Sequence, residues 1–329
     1  MKNNDLLFTD NINVTLIQWL KKTNKIPFIL VDSNTKKHCL PYLELKCPVI
    51  EIKAGESSKN FENVVYIIEK LIEFKANKQA VLINLGGGVI TDIGAFVASV
   101  FLRGIDFIHV PTTLLGMTDA SIGGKNGIDF KSLKNYVGTI NFPKKIIFYL
   151  PFLDTLNPKE MNNGYAEILK LGFICQSKIL TTLNHNNRLK WIKASAYSKL
   201  KLVNKDVKDQ GIRQLLNFGH TIGHAYESFC LSKNKAIPHG IAVVKGMLTE
   251  IEIAELFFNL KQSEANKMRE IIFQYFKESA LSKKQMKDIA PFLTKDKKNS
   301  KDLIAFSLPV KIGEGKIQCT IPLNKLINQ

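Results

Sequence analysis

The chain has 329 residues, 45% of them hydrophobic, which is long for one hydrophobic core; two domains are expected. The net charge of +17 invites a nucleic-acid reading, yet only Arg103, Arg188, Arg213 and Arg269 are arginines and no arginine-rich or aromatic-interleaved cluster occurs. The excess therefore reads as solvated lysines, part of which could steer small anions toward a cleft. No apolar run is long enough to cross a bilayer, and Met1-Lys2-Asn3-Asn4-Asp5 has no signal layout. Cysteines 39, 47, 175, 230 and 319 are odd in number and form no CxxC, which suits buried thiols in a reducing cytoplasm and argues against a cysteine metal site.

Short apolar runs at 27–31, 49–52, 80–85, 107–110 and 146–150 alternate with helical patterns. Between the second and third, Val64, Ile67, Ile68, Leu71 and Ile72 recur at helical spacing. This βαβ rhythm predicts a parallel sheet. After the third run comes Gly86-Gly87-Gly88-Val89-Ile90-Thr91-Asp92, leading into a helical run from Ile93 to Leu102. Consecutive glycines let backbone approach a phosphate, and the helix start adds oriented amides. A tight strand-to-helix turn would read the same, and the stretch is neither GxGxxG nor a Walker A sequence. Pro111-Thr112-Thr113 ends the next strand, at the carboxyl edge where open α/β sheets bind ligands. Asp119 to Gly127, containing Gly123-Gly124-Lys125, reads as a loop, and Lys134-Asn135 follows. Lys125 suits either a phosphate contact or an ordinary surface position.

From about Pro158 the pattern turns long and helical, including Met247 to Phe258 and Ser263 to Phe276. The change, set in the Pro-containing stretch 151–158, divides the chain into an α/β nucleotide domain (1–153) and an all-α domain (154–329). Glu167 and Lys170 share a helical face, as do His220 and His224. Asp209, Arg213, Asn217 and, a step later, His224 would lie near one face of a continuous helix, with Lys199 upstream. His239, between Pro238 and Gly240, is placed on a loop or at a helix start. Two imidazoles and a carboxylate with one position left open is the composition of a catalytic zinc site.

The blocks GGGVITD, LRGIDFIHVPTTLLGMTDASIGGKNGID, LKNYVGTINFP, GYAEILK and GIRQLLNFGHTIGHAYE together resemble the 3-dehydroquinate synthase family, from about Val31 to Lys301. The resemblance implies a dehydroquinate synthase-like fold, NAD and Zn²⁺ or Co²⁺ as cofactors, an anionic sugar-phosphate substrate and a cytoplasmic homodimer. It assigns metal ligation to Glu167, His220 and His239. NAD contacts fall on Asp32, Asn34, Glu56, Lys59, Gly87, Gly88, Val89, Asp92, Thr112, Thr113, Asp119 and Lys134. Substrate and catalytic positions fall on Lys125, Asn135, Lys170, Lys199, Asp209, Arg213, Asn217 and His224, with Lys297 or Lys298 reaching the phosphate. Arg103 would serve the neighbouring subunit's site. The pattern departs at Ile241, where the family usually has Glu, and this bears on the support of His239. Asp209 stands for Glu, Asn126 for Thr, and Gly116-Met117 for Ala-Gln. Two alternatives are another sugar-phosphate cyclase and a glycerol dehydrogenase-like alcohol dehydrogenase.

Overall fold

The computed structural model describes residues 1–131, 133–183, 187–294 and 303–327. Contacts divide the chain into two compact units, Met1–Met161 and Asn162–Gln329.

The first unit is built on strands β1 (Leu6–Phe8), β2 (Ile26–Asp32), β3 (Val49–Ile52), β4 (Ala80–Gly86), β5 (Asp106–Pro111) and, after a hairpin of β6 (Lys125–Phe130) and β7 (Leu133–Ile140), β8 (Ile146–Phe148). Six of them form one sheet in the order β1-β8-β5-β4-β2-β3, and every pairing in it is parallel. The five apolar runs read from the sequence are strands of this sheet; β1 was not foreseen. Its helices are α1 (Ile12–Thr23), α2 (Ser33–His38), α3 (Phe61–Glu73) and α4 (Gly88–Val100). Asn60 starts α3 by accepting the Asn63 N–H, and the helix buries Val64, Ile67 and Leu71 in a core with Leu30, Ile52, Ile93 and Phe107. Each such side chain contributes roughly 1.5–3 kcal/mol on burial.

The second unit holds most of α5 (Pro158–Ile174), then α6 (Lys178–Thr182), α7 (Arg188–Lys205), α8 (His220–Ser232), α9 (His239–Phe258), α10 (Gln262–Tyr275), α11 (Lys283–Leu293) and α12 (Leu323–Ile327). Helix α9 is apolar on nearly all sides and buried over most of its length, which makes it the core helix against which α8 and α10 pack. The helical character expected of this half holds, but the domain is not all-α. Strands β9 (Leu303–Lys311) and β10 (Glu314–Pro322) form an antiparallel hairpin, and β9 packs on α9.

Two local expectations are corrected. Asp119 to Gly124 is irregular as expected, but Lys125 opens β6, and Lys134 and Asn135 lie on β7, so the end of the stretch is a strand of a hairpin and not a loop. The helix supposed to carry Asp209, Arg213, Asn217 and His224 on one face is interrupted. Helix α7 ends at Lys205, Asp209 has φ +58°, Arg213 and Asn217 sit on a 3-10 segment, and α8 begins only at His220. Asp206 organises that interruption: its carboxylate accepts the N–H groups of Gln210, Gly211 and Arg213 at 3.0, 2.7 and 3.1 Å.

Candidate active site

In the first unit, β4 and β5 are neighbours with Gly86 opposite Pro111, so the glycine turn and Thr112-Thr113 emerge side by side at the carboxyl ends. Thr112 N–H donates to the Gly86 carbonyl at 3.1 Å. Helix α4 begins immediately, with Gly87 at its N-cap and no side chain capping it, which leaves its first amides to a ligand or solvent. A Cβ at Gly87 would lie 2.9 Å from Thr113 Cγ2, so the two turns approach closely enough that any larger residue would push that side chain aside. Val89 and Asp92 lie on the first turns of α4, and Asp119 falls in a wide π-helical turn, Gly116–Ala120.

Lys59, 3% exposed, places its Nζ 2.7 Å from Asp92 and 3.8 Å from Glu56, so three of the residues assigned to NAD form one charge cluster. Burial alone would lower the Lys59 pKa, but Asp92 and Glu56 raise it above the ordinary lysine value. Asp32 spends Oδ1 on the Asn34 and Thr35 amides at the start of α2. Lys125, Lys134 and Asn135 are exposed on the hairpin. Arg103 is exposed at a corner where Leu102, Arg103 and Gly104 all have positive φ (49°, 61° and 107°), an arrangement strained for the two non-glycine residues. Lys78 holds this corner by donating to the carbonyls of Leu102 and Gly104.

In the second unit, Glu167 lies on α5, His220 and His224 on α8, and His239 is the first residue of α9. The ligating atoms of the three imidazoles lie within 4.8 Å of one another. Glu167 Oε1 is 3.3 Å from His220 Nε2 and 3.4 Å from His239 Nε2. Ligand atoms held about 2.0–2.1 Å from one tetrahedral ion are separated by about 3.3–3.4 Å, so this carboxylate and these two rings have the spacing a zinc-sized ion requires. Both Glu167 oxygens are buried without a hydrogen-bond partner of good geometry, although Oε2 ion-pairs with the buried Lys170. A buried anion aimed between two imidazoles fits a cation.

Glu167 and His220 carry the charge states a metal site needs, while His239 carries a proton that a metal would have to displace. Burial alone would raise the Glu167 pKa, but Lys170 and His220 hold it well below the usual carboxylate range. Burial and the Lys170 charge lower the His220 pKa, keeping that ring neutral. His220 Nδ1 lies 3.1 Å from the Phe218 carbonyl and donates to it, which leaves the Nε2 lone pair facing the centre. Burial acts to lower the His239 pKa, but Glu167 and Glu227 raise it to about 9. A metal must therefore displace a proton from His239.

Two residues the sequence reading gave no role support this cluster. Glu227 on α8 places Oε2 3.7 Å from His239 Nδ1, a carboxylate facing the second nitrogen of that ring. Asn163 accepts the Gly240 N–H at 2.9 Å and so ties the start of α9 to α5. Lys170, Lys199 and Arg213 are all buried in this unit, and Arg213 Nη1 donates to the Val207 carbonyl at 3.0 Å. Lys297 and Lys298 lie outside the described residues.

Comparison with known proteins identifies the family and the fold. Residues 49–163 match the 3-dehydroquinate synthase N-terminal family and residues 164–299 the 3-dehydroquinate synthase C-terminal family. The 3-dehydroquinate synthase of Parabacteroides distasonis is 34% identical over 313 residues, covering 91% of this chain and 89% of that protein. Among solved structures, 2-deoxy-scyllo-inosose synthase complexed with carbaglucose-6-phosphate, NAD⁺ and Co²⁺ superposes with TM-score 0.84 at 21% identity, over 98% of this chain and 94% of that one. The 2-epi-5-epi-valiolone synthase of Streptomyces hygroscopicus, with NAD⁺ and Zn²⁺ bound, gives 0.84 at 22% identity over the same shares. These two likenesses establish the fold. The family is shown by the two family matches, which together span residues 49–299, and by the relative at 34% identity over nearly the whole chain: it belongs to the 3-dehydroquinate synthase family.

Proposed function

We propose that this chain converts 3-deoxy-D-arabino-heptulosonate 7-phosphate to 3-dehydroquinate and phosphate, the second step of the shikimate pathway. The observation that carries the reading is the convergence of His220 Nε2 and His239 Nε2 on one oxygen of buried, anionic Glu167, at 3.3 and 3.4 Å. When bound, Zn²⁺ or Co²⁺ would acidify a substrate hydroxyl and NAD would take up and return one hydride. Glu167, His220 and His239 would hold the metal. Lys170 holds a proton against Glu167 Oε2, beside the reacting centre.

Arg213 and Lys199 suit the substrate carboxylate; Lys125, Asn135, His224 and a late lysine, Lys297 or Lys298, suit its phosphate. Asp209 and Asn217 frame Arg213 in sequence. NAD belongs to the first unit: its phosphates at the glycine turn, with Gly87, Gly88, Val89, Thr112 and Thr113, and the rest near Asp32, Asn34, Glu56, Lys59, Asp92, Asp119 and Lys134. The exposed, strained corner at Arg103 suits reach into a second subunit's site, and the working form is a homodimer. All five cysteines are free, and among the described residues no helix is long and apolar enough to cross a membrane. Both facts suit the cytoplasm.

The test is phosphate release from the heptulosonate phosphate with NAD and Zn²⁺, beside an EDTA-treated control. Metal- and NAD-dependent release, with dehydroquinate formed and no net NADH, is the expected result. Stoichiometric NADH from a polyol would instead identify an alcohol dehydrogenase. Turnover of a different ketose phosphate alone would identify another cyclase.

A further inference from the structure

Helix α8 has no acceptor of its own at its start. Its N-cap is Gly219, in the left-handed region at φ +77°, with no side chain to receive the first-turn amides. The acceptor comes from α9. Glu250, fully buried, receives the Gly219 N–H on Oε2 at 2.6 Å and the Ile222 N–H on Oε1 at 3.1 Å. These two donors flank His220. Glu250 itself lies three turns along α9 from His239, so one rigid helix carries both an imidazole of the site and the group that grips the helix bearing the other two.

The grip acts on helices already in backbone contact. A Cβ at Gly246 would lie 1.9 Å from the Gly219 carbonyl oxygen, and one at Gly219 would lie 2.5 Å from Met247 Cγ. With the spacing fixed by glycine contact, α8 retains two soft motions, sliding along α9 and rotating about its own axis. The N-cap and third-residue amides donate to the two oxygens of one carboxyl group, and this two-point bond opposes both.

We propose that Glu250 is a positioning residue of the imidazole site: it sets the register of α8 against α9, and thereby the separation of His220 and His239, without touching either ring. This rests on the metal-site reading above. A carboxylate that merely stabilised a helix end would lower the melting temperature when removed and leave the ligand geometry alone. A positioning residue alters the geometry as well.

The experiment uses the full chain loaded with Co²⁺, reading the d–d absorption band and the Co²⁺ affinity by chelator competition. Variants are Glu250→Gln, which keeps the shape but turns one acceptor into a donor facing a backbone N–H, and Glu250→Ala. Ile253→Val, on the same helix and facing the core, serves as a control for lost stability. The expected result is a ~10–100-fold loss of Co²⁺ affinity and a shifted d–d band in both Glu250 variants, with the control spectrum unchanged. Wild-type affinity and band in Glu250→Gln, whatever its melting temperature, would overturn the positioning role alone. Failure of the parent chain to bind Co²⁺ would remove the metal reading and, with it, the role given to Glu250.

Discussion

A methyl group added at Gly246 tests the helix contact on which the imidazole geometry depends. In Gly246→Ala the new carbon would lie 1.9 Å from the Gly219 carbonyl oxygen and 2.8 Å from both the Gly219 carbonyl carbon and the Gly223 nitrogen. All three are backbone atoms, so no side chain can rotate away. A carbon and a carbonyl oxygen come no closer than about 3.3 Å without loss, so α8 must withdraw by roughly 1.4 Å at this point. Metal–ligand distances tolerate only about 0.2 Å, several-fold less than that displacement. His220 adjoins Gly219, so it moves with the withdrawal, away from His239 on the other helix. Overpacking of this kind costs about 1–3 kcal/mol, which for a domain of this size lowers the melting temperature by roughly 2–12 °C. The assays are thermal unfolding of metal-free protein and Zn²⁺ affinity by chelator competition. We expect both to fall, the affinity by at least ~10-fold. A variant melting within about 2 °C of the parent with the same Zn²⁺ affinity would show that α8 and α9 do not meet at Gly246.

Three further outcomes follow from the same geometry. Glu227→Ala removes the carboxylate beside His239 Nδ1 and should weaken metal binding by ~10–100-fold, whereas Ile241→Glu should leave it within about twofold; chelator competition on both variants reads the difference. Burial pushes the Glu250 carboxyl up to about 8 against the pull of the Ile222, Gly219 and Thr221 amides. A raised carboxyl pKa means the folded state holds the proton more tightly, so this contribution is complete below the ordinary value near 4.5 and is lost as pH rises through 8. Its upper size is about 5 kcal/mol at ~1.4 kcal/mol per pKa unit. Melting curves of EDTA-treated protein from pH 5 to 9 should therefore fall more steeply for the parent than for Glu250→Gln, and parallel curves would exclude the effect. Arg213→Ala should raise KM for the heptulosonate phosphate by ~10–100-fold, as expected for loss of a charge-assisted contact to a carboxylate; unchanged steady-state kinetics would remove Arg213 from that role.

What the sequence made legible was what chemistry repeats locally. Strands β2, β4, β5 and β8 lie inside the sheet, are largely buried and read as near-continuous apolar runs, so their parallel sheet was foreseeable; β3, at the edge, is half-buried and shorter. Strand β1 is three residues long, too short for any period to show. The β6–β7 hairpin was hidden because β7 is exposed along most of its length and offers no alternation of apolar and polar residues. The supposed helix from Asp209 to His224 failed for a specific reason. Spacings of four were counted from Asp209, which lies beyond the end of α7 and has positive φ, across Gly211 and Gly219, which precede the 3-10 segment and α8. Glu167, His220 and His239 could be singled out by residue type and by family pattern, because ligand chemistry uses few side chains. The groups that orient them could not. Glu227 meets a ring on another helix, and Glu250 accepts amides 28 and 31 residues away, so neither contact exists until the helices pack.

Those two carboxylates show how the site accommodates Ile241. Helix α8 supplies His220 and, through Glu227, the acid beside the His239 ring on α9. Helix α9 supplies His239 and, through Glu250, the acceptor that holds the start of α8. Each helix thus carries one of the imidazoles proposed to bind the metal and the support of the other helix's imidazole. The carboxylate near His239 does not have to come from position 241, since α8 already brings one to Nδ1. Such reciprocity has an energetic signature. Loss of Glu250 lets α8 shift, and a shifted α8 carries Glu227 away from His239, so part of what Glu227 contributes is already lost. In metal affinity, the double variant Glu227→Ala/Glu250→Ala should therefore lose less than the sum of the two single variants, by the 0.5–3 kcal/mol typical of residues acting through one structural unit. Strict additivity would mean that the two carboxylates act independently, and that α8 keeps its place by glycine contact alone.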